Sequence, residues 1–459
     1  MWIERTIKQN RFLKTIKELK NQVLIIRGAR QVGKTSFILE CFKKLGDHPQ
    51  VFVNLLYPSR FKVQGLEYFG RDFFGRSSSG QEFLENIEKI RPHSPVPVFI
   101  FIDEVDHHPV AMETVQSLAS ASDRFKFVFT GSNLENIPVK NAATGRKHYF
   151  DLYPISFSEF LSAWEQKKGA DKRFEAFRNA TLDPRSITDY FHALLTDSFM
   201  VYLRLGGIPR LVDTYLEPQL NNLSVPELIK DLAISIEENV KAILGEKTKL
   251  YEYEDILRKL AYLSMNTLKY SGLQVQHAGK REAQKLVSKT VGARVAHKIR
   301  LHDLEKDLSK YILFDCGFTN YLLNGSDLLN NVWSEQSQSI LYETFVGNEL
   351  IHQLITRDDL CYWKSGNQAE LEYCLRSRGF IGIDVKSNMG RNQSLNSFSL
   401  LEKNATAIVK ICNQKPELNK NYIASLPNLN EPNFNGKRKI PLITIPHYLT
   451  GRMLSLLEP

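Results

Sequence analysis

The segment GARQVGKT, Gly28 to Thr35, limits what this chain can fold into more than any other stretch. The apolar residues 23–26 precede it, and Ser36, Phe37, Ile38 and Leu39 follow. That order predicts a strand, a glycine-rich loop and a helix, the context that a phosphate-binding loop requires. Gly28 and Gly33 allow the tight turn and bring backbone N–H groups toward phosphate oxygens. Ala29, Arg30, Gln31 and Val32 complete the loop, and Ser36 lies in the first turn of a helix whose N-terminal end adds positive potential. Lys34 is the expected partner of the β- and γ-phosphates of ATP, and the Thr35 hydroxyl is the expected Mg2+ ligand. An ordinary strand-to-helix turn with a solvated lysine is the competing reading, and the flanking pattern weighs against it.

A second element agrees with the first. Residues 95–102 are an almost continuous apolar run ending in Asp103 and Glu104. A strand buried on both faces of a parallel sheet has this composition. Acids at its carboxyl end stand where open α/β sheets bind ligands. Asp103 is expected to hold Mg2+ and Glu104 to orient and deprotonate the attacking water. A helix cap is the alternative for the pair. Further strands are expected over 50–55 and 125–130, with helices over 1–20, 34–45, 81–90 and 112–121. In the first helix Ile3, Ile7, Phe12, Leu13, Ile16 and Leu19 recur at helical spacing. Strands alternating with helices argue a parallel sheet covered by helices.

Composition narrows the class. A chain of 459 residues has room for about two to four domains. Its 42% hydrophobic and 24% charged content is that of a globular protein. No apolar run approaches the roughly eighteen residues of a membrane span, and the charged N-terminus lacks the apolar core of a signal peptide. Five cysteines, at 41, 316, 361, 374 and 412, are scattered without a Cys-x-x-Cys pair, which fits a reducing cytoplasm. A net charge of +9 permits nucleic-acid contact, and equally a solvated basic surface.

Downstream, Gly145 and Arg146 precede LYPISFSEF, Leu152 to Phe160. Gly206, Gly207, Ile208 and Pro209 follow, then a strand ending in Asp315, Cys316 and Gly317. YETFVGNEL, Tyr342 to Leu350, comes last. These segments, in this order behind the phosphate loop, resemble a family of prokaryotic AAA-type ATPases with a C-terminal nuclease-like domain. The resemblance implies an α/β fold: a P-loop NTPase parallel sheet with a helical lid, a winged-helix-like segment and a C-terminal α/β nuclease-like domain. Expected limits are 1–160 for the ATPase core, 161–225 for the lid, 226–330 for the winged-helix-like linker and 335–459 for the nuclease-like domain. In related ATPases a polar side chain after the fourth strand senses the γ-phosphate. Thr130, Ser132 and Asn133 are the candidates here, with a capped turn as the alternative. Arg146 is by resemblance the arginine that contacts nucleotide phosphate, in cis or across a subunit boundary, and Arg210 is a weaker candidate. Basic residues are dense between Lys280 and Lys310, but no helix there is expected to show several base-reading side chains on one face.

From about residue 335 the pattern changes. Glu343 lies on an expected helix over 340–355. Short strands over 361–364, 369–375 and 380–386 carry Glu372, Asp384 and Lys386. Helix, strand and strand, with an acid on each of two strands and a lysine two residues after the second, resembles the PD-(D/E)xK nuclease fold. Two carboxylates hold a divalent metal there, a lysine positions water, and an upstream glutamate completes the site. Strand alternation puts Asp384 and Lys386 on one face. Glu372 stands where that family usually has aspartate, so an active nuclease, an inactive or purely binding relative and a chance match all remain open. The function expected overall is Mg2+-dependent ATP binding and hydrolysis, acting on DNA through the C-terminal half. A signalling or scaffold ATPase that binds a protein partner is the alternative.

Overall fold

The computed structural model describes residues 3–63, 66–74, 80–90, 94–107, 115–120, 124–131, 145–220, 223–244, 250–268, 270–273, 280–303, 305, 308–354, 356–366, 369–376, 379–387, 390–426 and 436–457. An N-terminal helix, Thr6–Glu18, leads into the first strand. It buries Gln9, Phe12 and Ile16. Ile7, expected on the same stripe, is 85% exposed. Phe12 and Ile16, one turn apart, set the buried face, and Ile7 falls on the opposite side.

The first sheet contains β1 (Val23–Arg27), β2 (Gln50–Asn54), β3 (Phe61–Val63), β4 (Leu66–Phe69), β5 (Val98–Asp103), β6 (Phe125–Thr130) and β7 (Lys147–Asp151). Their order is β3-β4-β2-β5-β6-β1-β7. Every neighbouring pair is parallel except β3 with β4. The central strands are buried on both faces. Leu24 and Ile26 of β1 and Phe99 and Phe101 of β5 enter one core, while Val23, Ile25, Val98, Ile100 and Ile102 enter the other. Continuous apolar runs are the signature of that burial. The short β3–β4 hairpin and the edge strand β7 are not legible as strands in the sequence, because neither carries such a run.

After β7 the chain turns helical, with Phe157–Lys168, Arg173–Asn179, Asp189–Leu205, Pro209–Leu216 and Val225–Leu244. The second sheet comprises β8 (Ala296–Leu301), β9 (Ser309–Leu313), β10 (Leu360–Ser365), β11 (Ala369–Leu375), β12 (Phe380–Val385), β13 (Ala405–Ile411) and β14 (Glu417–Asn419); β15 (Ile423–Ser425) and β16 (Lys437–Lys439) form a separate ribbon before β17 (Leu442–Ile445) rejoins it. Its order is β14-β17-β13-β12-β11-β10-β8-β9. The β8–β9 hairpin pairs with β10 through β8, so the boundary expected near residue 330 falls inside a continuous sheet.

The recurring segments noted in the sequence meet at one joint. Ser156 and Glu159 form a capping box at the start of helix Phe157–Lys168, and Arg5 pairs with Glu159 at 3.1 Å. Glu349, on helix Glu335–Gln353, accepts the Phe157 N–H at 2.8 Å. Ile155 N–H donates to Gly207 O at 2.6 Å, and Gly207 N–H donates to Asp315 Oδ2 at 2.7 Å. Phe318 N–H takes the other oxygen of Asp315 at 2.8 Å. A side chain at Gly206 would collide with that carboxylate, and one at Gly317 with Leu205 O. These glycines are therefore where the end of helix Asp189–Leu205 closes on Asp315 and the start of the helix that follows it. Among the described residues, no helix is long and apolar enough to cross a membrane.

Candidate functional site

The phosphate loop sits at the carboxyl end of β1, between β6 and β7. Gln31 and Gly33 adopt φ of 62° and 83°, which curls the loop before helix Lys34–Lys43 begins. Gly28 is enclosed, and a Cβ there would strike the Leu152 carbonyl oxygen. Gly33 faces the Pro209 ring, which would lie 3.5 Å from an added Cβ. Gln31 Nε2 donates to Ser235 Oγ at 3.3 Å, joining the loop to helix Val225–Leu244. Ala29 and Val32 are buried and Arg30 and Ser36 exposed. Lys34 Nζ donates to Gly28 O and Ala29 O at 3.0 and 2.9 Å. Burial lowers its pKa against the pull of Glu104, Asp103 and Asp106.

The acidic strand delivers Asp103 to the same place. Thr35 Oγ1 donates to Asp103 Oδ2 at 2.8 Å, and the Thr130 hydroxyl donates to Oδ1. The Glu104 N–H also reaches Oδ1, at 3.0 Å. Burial raises the Asp103 pKa, while the two hydroxyls and this N–H act to lower it. Glu104 has φ of 54°, in the left-handed region that a non-glycine residue enters only under local constraint. Burial first, then the charges of Asp103 and Asp106, raises its carboxyl to about 7. Asp106, in the short turn after β5, is a member of this site that sequence reasoning missed. So are the Leu152 carbonyl and Pro209, which lie in segments the sequence marks without assigning them to this site, and Ser235, which no local motif announces.

A hydroxyl bonded to a carboxylate, next to a glycine loop and its lysine at the start of a helix, suits a Mg2+–triphosphate. Thr130 therefore lies in the site by its bond to Asp103. Ser132 and Asn133 fall outside the described residues. Arg146 immediately precedes β7, with its Nη1 3.5 Å from Asn21 O. Because β7 runs parallel to β1, the start of β7 lies at the pole opposite the phosphate loop, about 16 Å away across five strand residues. Strand direction thus corrects the expected contact in cis. Arg210 is exposed beside Pro209, on the phosphate-loop side.

The C-terminal acids also meet. Glu372 on β11 accepts the Val385 N–H at 3.0 Å. Asp384 on β12 is wholly buried, 2.7 Å from Lys386 Nζ. That ion pair is poorly aligned, and neither Asp384 oxygen has a hydrogen-bond partner. Glu343 accepts the Ser339 hydroxyl at 3.1 Å. Burial, with Asp384 and Glu343 nearby, raises Glu372 to about 8; burial also raises Glu343 to about 7, against Lys310. Lys310 of β9 and Lys364 both pair with Glu370, so lysines interleave the acids. Among the described residues, no group of three or more His, Cys, Asp or Glu side chains is spaced to hold a metal ion. Lys386 thus stands on Asp384 and Glu372 holds a backbone N–H, while both Asp384 oxygens stay without a hydrogen-bond partner.

Residues 20–161 match the family model described as "AAA domain". None of the curated proteins matches the chain. Among solved structures, the Orc1 protein of Aeropyrum pernix in complex with DNA is 10% identical, covers 70% of this chain and 92% of its own, and has a TM-score of 0.29. PCH-2 of C. elegans is 13% identical, with coverage of 52% and 70% and a TM-score of 0.29. The Pif1 helicase of Candida albicans is 13% identical, with coverage of 43% and 48% and a TM-score of 0.24. TM-scores of this size leave the family match and the chain's own geometry to support the reading. Residues 20–161 thus carry an AAA domain, with a strand, glycine-rich loop and helix at the phosphate-loop segment.

Proposed function

We propose that the chain is a Mg2+-dependent ATP hydrolase that acts on DNA. The observation that carries the hydrolase reading is the Asp103 carboxylate, held by Thr35 and Thr130 with Glu104 as the next residue. Bound Mg2+ and ATP supply the γ-phosphoryl group and a cation that offsets its developing charge. The loop N–H groups orient the phosphates. Lys34 exchanges its bonds to Gly28 and Ala29 for phosphate oxygens. Thr35 and Asp103 would hold the cation. Glu104, near 7, takes the proton of the attacking water. Gln31 bonds Ser235 of helix Val225–Leu244 and Pro209 stands near Gly33, so a change in the loop would reach the lid through these helices.

DNA is favoured by helix Lys280–Gly292. It buries Ala283, Leu286, Val287 and Thr290 and exposes Lys280, Arg281, Gln284, Lys285 and Ser288 on the opposite side. Such a face was not expected from the sequence, because the phase of the helix is set by what it packs against. Cationic and amide side chains on one helix face suit phosphates and base edges. The carboxylate cluster of the C-terminal sheet is read as a binding module without cleavage. The experiment measures ATP hydrolysis and DNA-binding anisotropy together, for the parent, Lys34→Ala and a Lys280/Arg281/Lys285→Ala triple variant. Hydrolysis lost only in Lys34→Ala, with binding weakened and less salt-dependent in the triple variant, supports the reading. Absence of DNA binding at low salt would instead favour the scaffold ATPase with a protein partner.

A further inference from the structure

The phosphate loop carries an arginine side chain to which hydrolysis, as described so far, gives no role. Between Gly28 and Gly33, Ala29 and Val32 are buried and Gln31 bonds Ser235. Arg30 is exposed. Among the described residues its guanidinium has no hydrogen bond and no ion pair. Arg27, at the end of β1, is by contrast held by Asp151 through Nε at 2.8 Å and Nη2 at 3.0 Å. Strand direction carries Arg146 to the far pole of the sheet. Arg30 thus stands in the loop both accessible and uncommitted.

Backbone geometry fixes how near this residue stands to the reacting phosphate. The Lys34 ammonium is bonded to Ala29 O at 2.9 Å, and the next Cα across that peptide belongs to Arg30. Standard bond lengths across a trans peptide put that Cα within about 6 Å of the ammonium. Lys34 is the residue that meets the β- and γ-phosphates, and an arginine side chain spans such a distance. Electrostatics place the charge on the same side. Burial, then Asp103 and Asp106, raises the Glu104 carboxyl, and the charges of Lys34 and Arg30 act against that rise. Burial lowers Lys34; the three acids oppose that fall and Arg30 adds to it. Arg210 is also exposed near the loop, but the largest charges felt by Lys34 and Glu104 from outside the pair are those of Asp103, Asp106 and Arg30.

A planar guanidinium meets phosphate oxygens in pairs. Placed on a transferring γ-phosphoryl group, it offsets charge that grows in the transition state. We infer that Arg30 supplies this guanidinium in cis, from within the phosphate loop of the chain that binds the ATP. In the step it serves, the water oxygen bonds to the γ-phosphorus. The bond from that phosphorus to the bridging oxygen breaks, and its electron pair leaves with ADP. One water proton passes to Glu104, and inorganic phosphate departs. Arg30 moves no proton; it turns from the field of Glu104 onto the γ-phosphoryl oxygens. This role rests on the hydrolase reading and adds a catalytic cation to it.

The test is steady-state phosphate release by the full chain with Mg2+ and ATP, beside calorimetry of ADP and of ADP with aluminium fluoride, a mimic of the transferring group. Variants are Arg30→Ala and Arg30→Lys. Arg30→Ala should lower kcat by about 10³- to 10⁵-fold and leave ADP affinity unchanged, which also shows that the loop is folded. The tighter binding that aluminium fluoride confers on ADP in the parent should disappear in Arg30→Ala. Arg30→Lys keeps the charge without the fork and should recover only part of the rate. Parental kcat in Arg30→Ala overturns this role alone, as does a rise in KM with kcat kept. An equal loss of ADP binding would make Arg30 a support of the loop and overturn it too. Turnover regained on mixing Arg30→Ala with Lys34→Ala would place the guanidinium on a neighbouring copy and overturn the contact in cis. No turnover by the parent overturns the hydrolase reading itself, and the role of Arg30 falls with it.

Discussion

Glu104 is subject to opposite demands from stability and chemistry, and Glu104→Gln separates them. Burial, then Asp103 and Asp106, raises its carboxyl from 4.5 to about 7. Between those values the unfolded chain releases the proton and the folded chain keeps it. The stability contributed here is fully present below about pH 4.5 and is lost as pH rises through about 7. At about 1.4 kcal/mol per pH unit, the loss at pH 8 is about 3 kcal/mol. Glutamine keeps the shape but has no proton to release. In nucleotide-free and metal-free buffer the variant should therefore be about 3 kcal/mol more stable than the parent at pH 8. At pH 5 the advantage should shrink below about 1 kcal/mol. ATP turnover, with Mg2+ restored, should fall by about 10²- to 10⁴-fold. Urea unfolding at the two pH values and a phosphate-release assay measure both effects. A variant no more stable than the parent at pH 8 would refute the buried-carboxylate argument, and retained turnover would refute the role of Glu104 as base.

Three further outcomes follow from the geometry. Gly28→Ala drives a methyl into the Leu152 carbonyl; it should cost about 1–3 kcal/mol and abolish nucleotide binding, and ordinary ATP affinity by calorimetry would count against the close approach. Asp315→Asn replaces one of two acceptors, for Gly207 and Phe318 N–H, with an NH₂ group. Chemical denaturation should show a loss of about 1–3 kcal/mol, and an unaffected midpoint would remove Asp315 from the joint. Arg146→Ala should leave ATP affinity of the dilute chain unchanged, since its side chain starts at the far pole of the sheet; a marked loss of affinity at low concentration would restore the contact in cis.

Much of the nucleotide site is legible in the sequence because its parts are local. Glycine spacing, Lys34 and Thr35 lie on one turn, and Asp103 and Glu104 end one apolar strand. Strand β7 is another matter. KHYFD has no apolar run, and it becomes a strand only because β1 offers a parallel partner. Helix Lys280–Gly292 shows its basic face only once Leu286 and Val287 are seen to be buried. In the C-terminal sheet, alternation correctly puts Asp384 and Lys386 together. Lys310 arrives there from β9, a strand separated from the acids by many residues of chain.

By itself the sequence determined a phosphate-binding loop at the end of a buried parallel strand, because glycine geometry and apolar burial act over neighbouring residues. Only the tertiary structure decided which distant groups complete it. Strand direction sent Arg146 away from the loop. Packing brought Pro209 and Ser235 to it. Convergence of three segments set Arg27, Arg294 and Arg357 around Asp151. Burial first, and then neighbouring carboxylates, raised Glu104 and Glu372 well above the usual carboxylate range. Long-range contacts and desolvation depend on what the whole chain encloses, and no local pattern of residues encodes them.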